Sequence, residues 1–131
     1  MRLEEAKKKL AATLPALKGI SKEEEFEHDR EDPEQRFEER EIRKVADHLY
    51  SLIYSVEYLQ KPIQASGRVI KRSDGRYEIE GAEDYFTSGS PLEIWDESQE
   101  IYARTRIEHD GEDYFAVGIK QPLEGLQARY R

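Results

Sequence analysis

The sequence predicts an α+β protein: an N-terminal helical arm or hairpin with one long helix, followed by a small antiparallel β-barrel or bent sheet. Three observations lead there. Apolar residues recur at helical spacing as far as Gln60 and give way to short alternating runs beyond it. Lys61-Pro62 stands at the change, and proline removes a backbone donor that a helix needs. Two Asp-Gly turns follow, each flanked by β-branched and aromatic residues, a strong short-range hairpin signal. The organisation expected is a helical arm over residues 1–62 and an all-β domain over residues 63–131.

Leu3, Ala6, Leu10, Leu14 and Leu17 recur at three- and four-residue steps and predict an amphipathic helix over residues 2–14, ended or kinked by Pro15. Ser21-Lys22-Glu23-Glu24 has the pattern of a capping box; any helix it starts is short, because EEEFEHDRED is mostly charge. Asp32-Pro33 is a stronger start, with Asp32 able to cap and Pro33 suited to the first helical position. From there a helix should run to about Gln60. Ile42, Val45, Ala46, Leu49, Leu52, Ile53, Val56 and Leu59 form a broad apolar stripe along its second half. A helix of that length, about 40 Å, outreaches a β domain of SH3-like size. Part of the stripe therefore needs another cover, either the first helix folded back or the same helix of a second chain. Ile42, Leu49, Ile53 and Val56 are the candidate self-association residues.

In the second part, Ser73-Asp74-Gly75-Arg76 and His109-Asp110-Gly111-Glu112 punctuate short strands. Ile101, Ala103, Thr105 and Ile107 on one side of the second turn, and Phe115, Val117 and Ile119 on the other, are all odd-numbered. One shared face then requires a loop with an odd number of residues. A three-residue loop, His109-Asp110-Gly111, meets this with Gly111 in the left-handed position. Arg104, Arg106 and Glu108 would point outward together with Tyr114 and Ala116.

Hydrophobic residues make up 37% of the chain and charged residues 38%, so the core is small and oligomerisation is one way to supplement it. Residues 1–60 carry 11 basic against 15 acidic residues, and residues 61–131 carry 10 against 14. Each part contributes −4 to a net charge of −8. Generic binding to a phosphate backbone is disfavoured, since that affinity rests on clustered cations displacing counterions. The absence of Cys excludes disulfides, thiolate metal sites and cysteine nucleophiles. With no secretory h-region and no apolar run long enough for a membrane, a cytoplasmic protein is expected.

RIEHDGEDYFAVG (106–118) gathers His109 with four carboxylates. At an exposed hairpin tip these lack the converging ligands and supporting shell of a metal site, and turn chemistry accounts for Asp110 and Gly111. His28 lies in a charge-rich segment and His48 beside the apolar stripe. Ser66-Gly67 and Ser88-Gly89-Ser90 are turn compositions without a nucleophile elbow, and phosphate or dinucleotide loops are absent. No catalytic residue, cofactor or metal is expected. The remaining candidate surface is rich in Arg and aromatic residues: Arg68, Arg76, Arg104, Arg106 and Tyr114. Such groups on a small β-barrel can stack single-stranded bases or anchor a protein.

Gly67-Arg68, Asp74-Gly75-Arg76-Tyr77-Glu78, Ser88 to Ile94, Arg106-Ile107-Glu108-His109, Tyr114 to Gly118, Gly125 and Ala128-Arg129 together give the C-terminal half a family resemblance. That half resembles an uncharacterised family of small all-β domains from Firmicutes and their mobile elements, catalogued as a domain of unknown function. Tyr102 stands where the resemblance leads one to expect Trp. The resemblance implies an all-β domain and assigns no activity. The function expected is non-enzymatic: an interaction or assembly module forming a homo-oligomer, or binding a protein partner, through the long helix. Single-stranded nucleic-acid binding through the Arg and aromatic groups is the alternative.

Overall fold

The computed structural model describes residues 1–131. Two helices precede a six-stranded antiparallel sheet curled into a half-barrel, and the chain divides into two compact units, Met1–Lys61 and Pro62–Arg131.

Helix α1 spans Leu3–Ser21 and α2 spans Pro33–Gln60. The start of α2 is the one its sequence prescribes. The Asp32 carboxylate accepts the Glu34 N–H at 2.9 Å, Pro33 opens the helix, and Gln35 Oε1 accepts the Asp29 N–H. The two helices form a hairpin: Lys18 pairs with Glu57, the Tyr50 hydroxyl donates to the Ser21 C=O, and Gln60 donates to the Lys7 C=O. The first helix thus folds back along the second.

Two expectations for α1 are corrected. The helix passes through Pro15 and does not end there. Proline's fixed φ is itself helical; what it costs is one donor and crowding of its ring against the carbonyl four residues back, and contacts with α2 hold the turns beyond it. Ser21 does not start a second helix. Its hydroxyl donates back to the Lys18 C=O at the end of α1, and residues 22–32 are not helical. With that hydroxyl committed to the end of α1, Ser21 caps no new helix, and the segment that follows has too few apolar residues to hold one by packing.

The strands are β1 Ala65–Lys71, β2 Tyr77–Ile79, β3 Pro91–Asp96, β4 Ile101–His109, β5 Tyr114–Ala116 and β6 Gln127–Tyr130, arranged β2-β1-β6-β3-β4-β5. Alternation selects the inner face. Val69, Ile79, Leu92, Ile94, Ile107, Ala128 and Leu123, the last from the crossing loop after β5, are buried together. Gly67 pairs with Ala128, and a side chain at Gly67 would come within 3.2 Å of Ile79 Cγ2. Two small residues here let the sheet curl tightly over the core. The crossing loop is pinned to β1, where Val69 N–H donates to the Leu126 C=O and Gly125 N–H to the Val69 C=O.

The register of the second hairpin is also corrected. Ile107 pairs with Ala116, Glu108 with Phe115 and His109 with Tyr114, so the loop is the four residues Asp110–Asp113. The Asp110 carboxylate gathers the N–H groups of Glu112 and Asp113, and the Asp110 N–H donates to the Asp113 C=O. The turn is one residue longer and starts one residue later, so Ile107 meets Ala116 where the expected loop gives Asp113, a shift of three that reverses the parity of β5. Ala116 faces the core and Tyr114 packs against it, while Phe115 lies on the exposed side. Gly111 has the expected positive φ, +98°.

Although β2 and β5 are opposite borders of the sheet, side chains bring them together. The Tyr77 hydroxyl donates to Asp113 Oδ2 at 2.9 Å, and Lys71 Nζ lies 3.6 Å from the same oxygen. Burial, then the bond to Asp113, raises the Tyr77 hydroxyl pKa. The Asp113 charge raises that of Lys71. Partial burial pushes the Asp113 carboxyl up, but the Tyr114 N–H, the Tyr77 hydroxyl and Lys71 outweigh it and hold it below its ordinary value.

Candidate functional site

Side chains at Glu93, Trp95, Tyr102, Arg104, Arg129 and Arg131 occupy or border the sheet face opposite the core. Alternation places them there: Leu92 and Ile94 point inward, so Glu93 and Trp95 point out. Glu93 faces Arg104 on β4 and Arg129 on β6. It is only 6% exposed, because two guanidinium groups close over it, Arg129 at 2.8 Å and Arg131 at 2.7 Å. The Arg129 guanidinium also lies 3.8 Å from the centre of the Tyr102 ring. Tyr102 meets Trp95 edge-on at 5.2 Å. A carboxylate, cations and two aromatic rings thus form one connected layer, a geometry suited to stacking on flat or apolar groups.

The structure brings some of the expected binding residues together and separates others. Arg68, Arg104 and Arg106 share the outer face; Arg68 donates to the Gly125 C=O and Arg106 pairs with Glu108 at 3.1 Å. Arg76 belongs to the β1–β2 turn, where it and Arg72 each lie 4.6 Å from the Tyr85 ring. Tyr114 sits on the inner side against the core, in contact with His109, so its predicted outward orientation is overturned by the register. Glu93 and Arg131 were not among the expected residues. Their signal is parity: Glu93 interrupts an apolar run at an outward position, and Arg129 and Arg131 share outward parity at the end of the chain.

At the hairpin tip of residues 106–118, the Asp110 carboxyl is held below its ordinary value, first by the Asp113 N–H and then by that of Glu112. His109 Nδ1 accepts the Gly111 N–H. These groups serve the turn, and no group of three or more His, Asp or Glu side chains is placed to hold a metal ion.

On α2, the apolar stripe divides. Leu49 and Val56 are buried and Ile53 is half-buried, whereas Ile42, Val45, Leu52 and Leu59 are between 44% and 57% exposed. Of the four expected self-association residues, only Ile42 is exposed, in line with the buried Leu49 and Val56. Beside that line, Val45, Leu52 and Leu59 form an open row at seven-residue intervals, with His48 and Ser55 between them. No helix is long and apolar enough to cross a membrane.

Residues 67–130 match the family described as a domain of unknown function, DUF5348. The match covers nearly all of the sheet and none of the helical hairpin. No curated protein and no solved structure matches the chain.

Proposed function

We propose that the chain is a non-enzymatic assembly module that self-associates through the open edge of α2, with its β unit as the second interaction element. The observation that carries this reading is the row Val45, Leu52 and Leu59, joined by Ile42, half-exposed beside Leu49 and Val56, which are buried. A seven-residue repeat keeps such a row on one side of a helix and lets a second helix pack along it. Four half-exposed aliphatic side chains fall short of the roughly 800 Å² per partner of a standard interface. An interface of that size belongs with weak, transient contacts.

Sedimentation equilibrium across the micromolar range tests it. The wild-type mass should rise with concentration, and Leu52→Glu, an exposed position, should remain monomeric with unchanged far-UV circular dichroism. A wild-type chain that is monomeric throughout refutes the proposal.

Single-stranded nucleic-acid binding is a second reading, favoured by the Trp95–Tyr102–Arg129 layer and opposed by the net charge of −8. Anisotropy of labelled single-stranded DNA and RNA at low salt decides it. Binding should weaken in Arg104→Glu and Arg106→Glu; no binding, or binding indifferent to both, removes it.

A further inference from the structure

Strands β4 and β5 are unequal. β4 runs nine residues, but β5 pairs only with Ile107–His109. The chain then turns away: the Val117 N–H donates to the Arg106 C=O, and the Thr105 hydroxyl donates to the Val117 C=O at 2.6 Å. Beyond that point the row beside Ile101–Ala103 holds no strand on the side away from β3. Ile107 directs its N–H and C=O towards Ser90 and Gly89, on the β3 side. Alternation along an antiparallel strand then turns the backbone of Tyr102 towards the vacant row. A cleft of about 740 Å³ adjoins this half of β4, with apolar walls from Ile94, Ala103, Ile119 and Leu126. Its volume lies within the range of ligand-binding clefts. Its charged lining is Asp96 and Glu97 of the β3–β4 turn with Arg68 and Lys120, and Glu100 stands in the same turn.

The geometry points to this cleft as a docking site for an extended peptide of a partner protein, added as a strand beside Ile101–Ala103. Main-chain groups at strand spacing match the vacant row, and alternate side chains meet the pocket, which is how sheet edges recognise peptides. An apolar side chain of the peptide seats against Ile94 and Ala103. Since Lys120 and Arg68 line the cleft as well, the preference is local: Asp96, Glu97 and Glu100 gather on one turn, and the peptide end beside that turn carries Lys or Arg. The inference stands apart from self-association, since no residue of α2 takes part.

Panning a random dodecapeptide display library on the full chain tests it, with counter-selection on Ala103→Trp, which fills the cleft. Enriched peptides should alternate apolar residues and carry a basic end. Their binding should shift the amide resonances of Ile101–Ala103, Gly118–Lys120 and Leu126, and should persist in Leu52→Glu. N-methylation of the peptide amides that face β4 should weaken binding by about tenfold or more, while N-methylation one residue along should not. If Ala103→Trp fails to fold, the N-methylated pair decides on the unaltered protein. No enrichment, shifts confined to the helices or the outer face, indifference to N-methylation, or loss of binding in Leu52→Glu would each overturn the inference.

Discussion

Replacing Glu93 by Gln tests the outer layer directly. The substitution keeps the shape of the side chain but removes the charge that Arg129 and Arg131 share, at 2.8 and 2.7 Å. A hydrogen bond to a charged group contributes about 1.5–3 kcal/mol. The two Arg side chains are 23% and 22% exposed, so water replaces part of each bond, and the Gln carbonyl can still accept one. The expected loss is about 2 kcal/mol. For a unit of this size that lowers the melting temperature by about 8–16 °C. Trp95, the one tryptophan of the chain, lies in the same layer and reports unfolding in urea by fluorescence; the midpoint should fall with the slope unchanged. The comparison is Glu108→Gln. Its Arg106 partner is 60% exposed, and an exposed pair of this kind contributes at most about 1 kcal/mol. Equal effects for the two substitutions, or a Glu93→Gln loss below about 0.5 kcal/mol, would refute the reasoning.

The other expectations concern pH, packing and capping. Asp113 and Asp110 have lowered pKa values in the folded chain, so the stability they add is present above the unfolded carboxyl value of about 3.9 and is lost as pH falls through their folded values. Tyr77 and Lys71 are raised, so their contribution is present below their unfolded values near 10 and is lost as pH rises through the folded ones. Thermal melts against pH should show a plateau between these limits, and an acid limb of unchanged depth in Asp113→Asn would contradict the assignment. Gly67→Val places branched carbons where even a Cβ lies 3.2 Å from Ile79, and should destabilise the β unit by about 1–3 kcal/mol in urea melts. Asp32→Ala removes the cap of α2 and should cost about 1 kcal/mol of helical-unit stability, read by circular dichroism at 222 nm.

Local chemistry made the ends of α2 legible in the sequence, and long-range contacts hid much of the rest. Asp32-Pro33 and Pro62 act on the backbone beside them, so the helix could be read without knowing its neighbours. Pro15 acts locally too, but contacts such as Lys18–Glu57 link α1 to residues far along the chain, and period alone could not weigh them. The β5 register failed for a different reason. Large apolar residues at odd positions outvoted Ala116 in the sequence, whereas the Asp110 carboxylate lengthened the turn by one residue. Side-chain hydrogen bonding in a turn leaves no mark on hydrophobic periodicity. Glu93 was readable as outward-facing but not as buried, because the arginines that cover it come from 36 and 38 residues away.

Glu93 also links the stability of the outer layer to what that layer can bind. Two cations held on one carboxylate are poorly placed to meet phosphates, since each phosphate contact would first have to displace an ion pair at 2.7–2.8 Å. Net charge alone predicts little change when one carboxylate is removed from a chain at −8. A local account predicts more: Glu93→Gln leaves Arg129 and Arg131 able to turn outward beside Tyr102 and Trp95. Affinity for labelled single-stranded DNA at low salt should then rise several-fold, and the slope of log affinity against log salt should steepen by about 1.4 for two added phosphate contacts. The measurement is made well below the melting temperature of the variant, with Glu108→Gln as a control of equal charge. A rise of the same size in both variants would show that long-range repulsion governs the surface. No rise in either would leave the arginines committed to the fold itself.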